Sequence, residues 1–395
     1  METQVRKLAI VRALVVATAT LSFCASAHSA PKYKVLHAFG KANDGAGLWC
    51  SLLIDAAHNL YGTTSGGGPH NGGTAFKLMP HSGGNWAEIL VHSFPSFPAD
   101  GGGPNGGLIL DPTGHLYGTT LQGGPQHDGT IFELSDGGNG WEETMVHAGG
   151  SWASVTRDGV GDLFGTTETS VFELVQGSHG WNKTVLHRFT GGRDGGGAFA
   201  AVILDAAGNL YGTTEGGGAH NGGTVYEVEH AVRGWHEKVL HSFEVNYKDG
   251  HTPGVGALVL DASGNLYGTT AGGGCCGGVV FRLKPQTDGR WKETILYEFQ
   301  GGANGFEAGA GVVMDKAGNL YGTTIAGGSG CGCGVVYKLS PGARGKWTYT
   351  VLHTFSGGDG AQPDANLILD DKGNLYGTTA TGGAYGGGVV FEIIP

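Results

Sequence analysis

Five acidic residues in recurring loops are the side chains best placed for chemistry. Four of them are aspartates that precede a glycine between copies of a repeat, and the fifth is a glutamate in the corresponding loop of another copy: Asp100, Asp194, Asp249, Asp359 and Glu307. Carboxylates that share one face could contact a sugar or bind Ca²⁺. A pair about 5–10 Å apart could act as acid and base on a glycosidic bond. Turn formation alone also explains an Asp-Gly pair.

One basic residue breaks the repeat pattern at a place where a ligand could pass. Arg157 lies in the segment Val155–Asp158, where the other copies carry Leu, Ile or Met. If this segment is the innermost strand of a ring, the guanidinium could hold an anionic group in the channel. The alternative is a paired, solvated channel residue. The same copy has shortened loops, Gly149–Ser154 and Glu168–Ser170, which would open a notch in the rim.

Four cysteines occupy equivalent glycine-rich loops of two successive copies: Cys275, Cys276, Cys331 and Cys333. In an oxidising compartment these cysteines are disulfide candidates, either within each loop or between the two loops. Adjacent cysteines fit the spacing of a zinc site poorly. Cys50 is then the unpaired cysteine. We assign no metal or cofactor. Binding of Ca²⁺ by the rim carboxylates stays an open alternative.

The elements that must position these residues are set by a sevenfold repeat. Near-copies of Asp-x-x-Gly-Asn-Leu-Tyr-Gly-Thr-Thr recur about every 50 residues, a period in the range of propellers and related arrays. Their aromatic residues are Tyr61, Tyr117, Phe164, Tyr211, Tyr267, Tyr321 and Tyr376. Asp-x-x-Gly-Asn is a tight turn, and the strand after it keeps a glycine that a neighbouring backbone or sheet is expected to approach closely.

Each copy predicts four antiparallel strands, the unit of a β-propeller blade. The two ends of the chain predict how the ring closes. A fourth-type strand, Tyr33–Phe39, precedes the first copy, and the last copy ends on a third-type strand, Val389–Ile394. Pairing these two would complete the last blade and hide an open edge. The sequence therefore predicts an all-β fold, a seven-bladed β-propeller, with residues 28–395 as a single domain.

The repeated LHxF, LxLDxxGNLYGTTxxGG and GxVFxL segments resemble a bacterial extracellular tandem-repeat family, the "choice-of-anchor, GloVer-containing" type. The resemblance covers essentially the whole chain after residue 27. It implies an exported repeat protein with variable anchoring, and it supplies no catalytic residues. This sequence has no recognisable anchor segment at its C-terminus, which puts attachment to the cell surface in doubt.

The N-terminus predicts export. Residues 1–27 combine a basic start, a short apolar core and Ala25-Ser-Ala27, which together are typical of a secretory signal peptide. No later stretch approaches the roughly 18 apolar residues that span a bilayer. The net charge of −11 makes nucleic acid an improbable partner, because binding phosphates requires basic patches. We expect a secreted monomer, extracellular or periplasmic.

The favoured function is a non-catalytic binding module for a glycan or another extracellular component such as a protein. One competing function is a propeller hydrolase or lyase that uses rim carboxylates on a polysaccharide. Another is a structural envelope or matrix protein without a small ligand. No Gly-x-Ser-x-Gly, HExxH or phosphate-loop motif is present. Binding is preferred because function must be argued from a site, and no catalytic site is visible in the sequence.

Overall fold

Every repeat folds into one antiparallel sheet, and the computed structural model contains seven of them. The structure describes residues 30–95, 101–232, 234–245, 249–254, 256–275 and 277–395. Within these, residues 31–395 form one compact unit. The predicted signal peptide and Asp100 lie outside the described residues. No helix in the described ranges is long and apolar enough to cross a membrane.

The strands are named in chain order, and each sheet is called a blade. The first strand is β1 (Lys32–Ala38). Blade 1 has β2 (Leu53–Ile54), β3 (Leu60–Thr64), β4 (Asn71–Pro80) and β5 (Trp86–Pro95); blade 2 has β6 (Gly101–Pro104), β7 (Ile109–Leu110), β8 (Leu116–Gly123), β9 (Thr130–Asp136) and β10 (Trp141–Ala148). Blade 3 has β11 (Thr156–Arg157), β12 (Leu163–Thr167), β13 (Ser170–Gly177) and β14 (Gly180–Arg188); blade 4 has β15 (Ile203–Leu204), β16 (Leu210–Thr214), β17 (Asn221–Ala231) and β18 (Gly234–Glu244).

The remaining strands complete three more blades. Blade 5 has β19 (Gly250–Pro253), β20 (Val259–Leu260), β21 (Leu266–Gly273), β22 (Val279–Pro285) and β23 (Trp291–Glu298); blade 6 has β24 (Val313–Met314), β25 (Leu320–Thr324), β26 (Val335–Pro341) and β27 (Trp347–Thr354); blade 7 has β28 (Ile368–Leu369), β29 (Leu375–Thr379) and β30 (Val389–Ile394). Short 3₁₀ turns lie at Ser82–Gly84, Gly302–Asn304 and Ala343–Gly345.

The ring closes through the N-terminal strand, as the sequence predicts. Blade 7 has the order β1-β30-β29-β28, and the register pairs Lys32 with Ile394 and Ala38 with Val389. The Tyr33 hydroxyl donates a hydrogen bond to the Asp359 carbonyl at 2.6 Å. The first strand of the chain is therefore the outermost strand of the last blade, and the predicted seven-bladed propeller with its closure is confirmed.

Seven separate hydrophobic cores hold the blades together. Each core joins neighbouring blades, and the one at the closure packs Tyr376 and Val390 of blade 7 against Leu60 and Phe76 of blade 1. The other six repeat this pattern around the ring. Because apolar area is buried at every junction, including the closure, no blade needs a separate core of its own.

The turn aspartates explain why the repeat is so strict. In blade 4, Asp205 Oδ1 accepts hydrogen bonds from the backbone amides of Ala207 at 2.8 Å and Asn209 at 2.9 Å. Its Oδ2 accepts from the Asn209 side chain at 2.9 Å and from the Tyr211 hydroxyl at 3.1 Å. One carboxylate thus fixes the turn and the strand after it. The same set of bonds recurs at Asp55, Asp261, Asp315 and Asp370.

In five of the seven blades, the first threonine of Leu-Tyr-Gly-Thr-Thr bonds to the loop before the next blade's innermost strand. At the closure, Thr378 Oγ1 donates to the Cys50 carbonyl at 2.9 Å. Equivalent bonds run from Thr63, Thr119, Thr166 and Thr269 to the carbonyls of Gly106, Ala153, Ala200 and Ala310. These loops surround the centre of the ring, so the repeated threonines fix the wall of any site there.

Candidate functional site

A cavity of about 460 Å³ lies at the centre of the ring, where the loops that lead into the innermost strands converge. Three aromatic side chains line it: Trp49, Trp152 and Phe199. The rings of Trp152 and Phe199 meet edge to face, with centroids 5.7 Å apart. Trp49 is 39% exposed and Trp152 is 51% exposed, a large exposure for tryptophan. An exposed aromatic group around a concave surface is typical of a ligand site.

Polar side chains complete the wall of this central cavity. Ser51, Asn105, Ser154 and Asn366 line it together with the aromatic residues. The Asn105 amide donates to the Trp152 carbonyl at 3.4 Å, which links the loops of blades 2 and 3. Asn366 Oδ1 accepts a hydrogen bond from the Gly311 backbone amide at 2.8 Å. This bond fixes the orientation of the Asn366 side-chain amide. The cavity therefore offers hydroxyl and amide groups beside apolar ring faces.

One buried acid belongs to both the central cavity and a smaller cavity beside it. Asp364 lines the central cavity and also a side cavity of about 180 Å³, where Glu307 is another wall residue. Burial, followed by the negative charge of Glu307, raises the pKa of Asp364 to about 7. Its Oδ1 is buried without a hydrogen-bond partner among the described residues. Asp364 can therefore carry a proton near neutral pH.

The wall positions of the central cavity share one place in the repeat. The residue six positions before each turn aspartate forms one layer, and the residue four positions before it forms another, because alternate residues of an extended chain face the same side. Among the described residues, the first layer reads Trp49, Asn105, Trp152, Phe199, Gly309 and Asp364 around the ring. The corresponding residue of blade 5, Val255, lies outside the described residues.

The structure brings few of the predicted carboxylates into this site. Glu307 lines the side cavity. Asp194, Asp249 and Asp359 instead accept hydrogen bonds from backbone amides at the ends of the outermost strands. Asp359 Oδ2 lies 3.0 Å from His353 Nε2, and its Oδ1 accepts from the Ser356 amide at 2.8 Å. Asp194 lies 3.5 Å from the corresponding nitrogen of His187. A ligand-binding role for these three aspartates stays a prediction.

Arg157 lies away from the cavity mouth. It ends β11 at the turn side of blade 3, and its Nη1 is 3.5 Å from the Asp158 carbonyl. It does not line the central or the side cavity. An arginine that contacts its own turn agrees with the alternative of a paired, solvated residue. Anion binding by Arg157 stays a prediction.

A histidine and two carboxylates meet at the outer edge between blades 4 and 5. His241 Nε2 lies 3.8 Å from both Asp249 Oδ2 and Glu293 Oε2. These three side chains have ligand atoms close enough for one metal ion, as do His58, Asp370 and Asp371. A histidine ligand favours a transition metal over Ca²⁺. Burial raises the pKa of Glu293 to about 7, although the nearby His241 opposes the shift.

The raised pKa of Glu293 predicts how stability depends on pH. The folded state holds this proton at pH values where the unfolded chain has lost it, so folding stability should fall as pH rises from about 4.3 to about 7. We expect Glu293→Gln to flatten the melting temperature between about pH 5 and about pH 8 and to raise it at the upper end. Thermal unfolding of Glu298→Gln, an exposed glutamate of the same strand, is the control. An unchanged pH profile in Glu293→Gln would contradict the assignment.

One of the two cysteine-containing loops contains a disulfide. Cys331 and Cys333 form a disulfide within one loop. Cys275 is exposed in the equivalent loop of blade 5, and Cys276 lies outside the described residues. Cys50 is buried, its Sγ lies 3.1 Å from the Thr63 amide, and burial raises the pKa of its thiol. A buried thiol of this kind is unreactive.

Sequence reasoning found part of this site and missed its arrangement. Glu307 was a candidate, and the shortened loop Gly149–Ser154, which carries Trp152, was predicted to open a notch in the rim. Phe199 and Asp364 were not predicted, because neither belongs to an Asp-Gly pair and both lie six residues before a turn aspartate, where no single residue type is shared by the copies. That position, compared across the seven copies, is the signal that would have found them.

Comparison with solved structures supports the fold. Virginiamycin B lyase from Staphylococcus aureus superimposes with a TM-score of 0.56 at 11% identity, covering 92% of this chain and 99% of that one. The extracellular domain of a hybrid two component system from B. thetaiotaomicron gives 0.55 at 14%, covering 92% of this chain and 41% of that one. PorZ, a surface component of the type-IX secretion system of Porphyromonas gingivalis, gives 0.51 at 15%, covering 90% and 47%. At sequence identities this low, the similarity shows a shared fold alone.

Comparison of sequences identifies the family. No curated protein matches the chain. The Gloeobacter/Verrucomicrobia repeat profile matches residues 25–173, 154–328 and 277–395, which together reach from before the first blade to the C-terminus. This agrees with the resemblance carried by the GNLYGTT segments, and the chain therefore belongs to the Gloeobacter/Verrucomicrobia repeat family.

Proposed function

We propose that the chain is an exported carbohydrate-binding propeller whose binding site is the central cavity. The observation that carries this proposal is the exposed aromatic group formed by Trp49, Trp152 and Phe199 around that cavity. Sugar rings present apolar C–H faces that stack on aromatic rings, and their hydroxyl groups need donors and acceptors at the edge. Ser51, Asn105 and the other polar wall residues supply those groups.

The proposal is tested with purified protein and a panel of cellulose, xylan, mannan, laminarin and pectin. Binding is measured by co-sedimentation and by calorimetry, with and without Ca²⁺. We expect Trp152→Ala to weaken binding at least about thirtyfold, because truncating a central aromatic anchor costs about 2 kcal/mol or more. Tyr385→Ala removes another aromatic residue that is 52% exposed and lies outside the cavity, so it should bind normally. Equal loss in both variants, or no binding by the parent protein, would overturn the proposal.

A second candidate function rests on Asp364. We infer that a protonated Asp364 acts as the acid and Glu307 as the base, an arrangement that would suit hydrolysis of a glycosidic bond. Asp364 would give its proton to the bridging oxygen as the carbon–oxygen bond breaks. Glu307 would take a proton from the water that attacks the anomeric carbon. The products would be two shorter sugars, one with a new reducing end.

Release of sugar ends separates the two functions. If the protein is a hydrolase, new reducing ends appear in the polysaccharide panel, and Asp364→Asn abolishes them while leaving binding within about threefold. Binding without release would leave the non-catalytic function in place. A protein that neither binds nor cleaves would instead act as a structural component.

Export is proposed from residues 1–27. Mature protein recovered from an expressing bacterium outside the cytoplasm should begin just after Ala27, read by N-terminal sequencing. Recovery of protein that retains residues 1–27 in the cytoplasm would contradict export.

A further inference from the structure

Blade 3 has shorter loops than the blade that follows it. In blade 3, β12 ends at Thr167 and β13 begins at Ser170, whereas blade 4 inserts residues 215–220 at the same point. The link into blade 3 is also short, residues 149–155, against residues 189–202 at the next junction. A cleft of about 640 Å³ occupies the space between blades 2 and 3.

Polar side chains that reach solvent line part of the cleft. Gln122, Gln126, Asp128 and Glu168 are exposed on its walls. Lys183 is the main cation there, and its ammonium group lies 4.2 Å from the centre of the Phe172 ring. Acidic and basic groups are mixed, so the cleft has no strong field of one sign. It therefore favours a neutral, hydrogen-bonding ligand over a polyanion.

The cleft adjoins the central cavity. Trp152 and Leu121 line both spaces, so the half-exposed indole stands at the junction between them. Each space falls within the range of about 300–1000 Å³ that holds a drug-sized ligand, so the pair is larger than a single sugar ring requires. A ligand that stacks on Trp152 in one space therefore lies next to the other space.

We propose that the central cavity and the cleft between blades 2 and 3 are successive subsites for one linear, neutral oligosaccharide or polysaccharide chain. One end of the chain lies in the central cavity, a sugar ring stacks on Trp152, and the rest of the chain runs outward between Gln126 and Glu168. This inference rests on the proposed function, since it assigns the length and direction of the carbohydrate that the central cavity binds.

The test compares ligand length in parent protein and a cleft variant. Calorimetry is performed with cello-, xylo-, manno- and laminari-oligosaccharides from disaccharide to octasaccharide. We expect affinity to rise with length, and the double variant Gln126→Ala/Glu168→Ala to lose about tenfold for the octasaccharide while keeping disaccharide affinity. Gln176→Ala/Glu142→Ala, two exposed residues at the opposite end of blades 2 and 3, is the matched control and should bind every length as the parent does.

The outcomes separate the subsites from the binding function. Affinity that is independent of length, or a cleft variant that binds octasaccharide as well as the parent, would overturn the cleft subsites while leaving carbohydrate binding intact. Equal losses for short and long ligands would also overturn them, because the cleft would then not be a separate subsite. Failure of the parent protein to bind any sugar would remove both proposals together.

Discussion

A chain that begins at Lys41, and so lacks β1, is expected to be insoluble. β1 supplies the fourth strand of blade 7, and its Leu36 and the following Phe39 are buried in the core between blades 7 and 1. Tyr33 also stacks on His353 with ring centroids 3.7 Å apart. Removing a buried phenylalanine alone costs about 3–5 kcal/mol, against a net stability of about 5–15 kcal/mol for a typical domain. The exposed edge of β30 would then pair with other chains.

A circular permutant provides the control for this deletion. Lys32 pairs with Ile394, so an Asn-Gly turn can join them directly and place β1 after β30 as a hairpin. The chain would begin at Lys41 and end at Gly40. It should be soluble and melt as one transition near the parent temperature, measured by circular dichroism. A soluble, cooperatively folding deletion would show that β1 does not close the ring.

Replacing the strand glycine of a repeat is expected to destabilise the whole protein. A methyl group on Gly268 would lie 2.6 Å from the Phe281 ring and 2.8 Å from Leu258. Phe281 is fully buried, so it has no free space to move into. Overpacking of this kind costs about 1–3 kcal/mol or more. We expect Gly268→Ala to lower the denaturant midpoint clearly, and Phe281→Leu in the same chain to restore part of the loss.

A second glycine gives the opposite expectation. A methyl group on Gly137 would meet no atom within 4 Å, and the backbone there does not have a positive φ. Gly137→Ala should leave stability unchanged or raise it by about 0.4–1 kcal/mol, because alanine restricts the unfolded chain. Equal effects of the two substitutions on urea unfolding would contradict the steric explanation.

The reason why the copies of the repeat keep a glycine in this strand differs in detail from the expectation. The sequence suggested that a backbone or sheet approaches the strand glycine, and the structure shows an aromatic side chain of the adjacent strand instead. Gly62 faces Phe76 and Gly322 faces Tyr337 in the same way. A repeat reveals that a position must be small, but only the strand register identifies the neighbour that fills the space.

The seven blades and their closure were determined by the sequence itself, because both depend on local and repeated signals. Each turn aspartate bonds to residues within the next six positions, so its effect can be read from a short stretch. The strand types at the two ends are likewise visible without knowing any distance. Such signals can be recognised in a sequence because the residues that interact are close along the chain.

The central site was decided by the tertiary structure. Trp49, Trp152, Phe199 and Asp364 are far apart in the chain and come together only because ring closure turns one repeat position toward a common centre. The same geometry separates Asp194 and Asp359 from that centre, although they looked equally suitable as isolated residues. Repetition determined which residues are equivalent; the curvature of the closed ring determined which equivalent residues face one another.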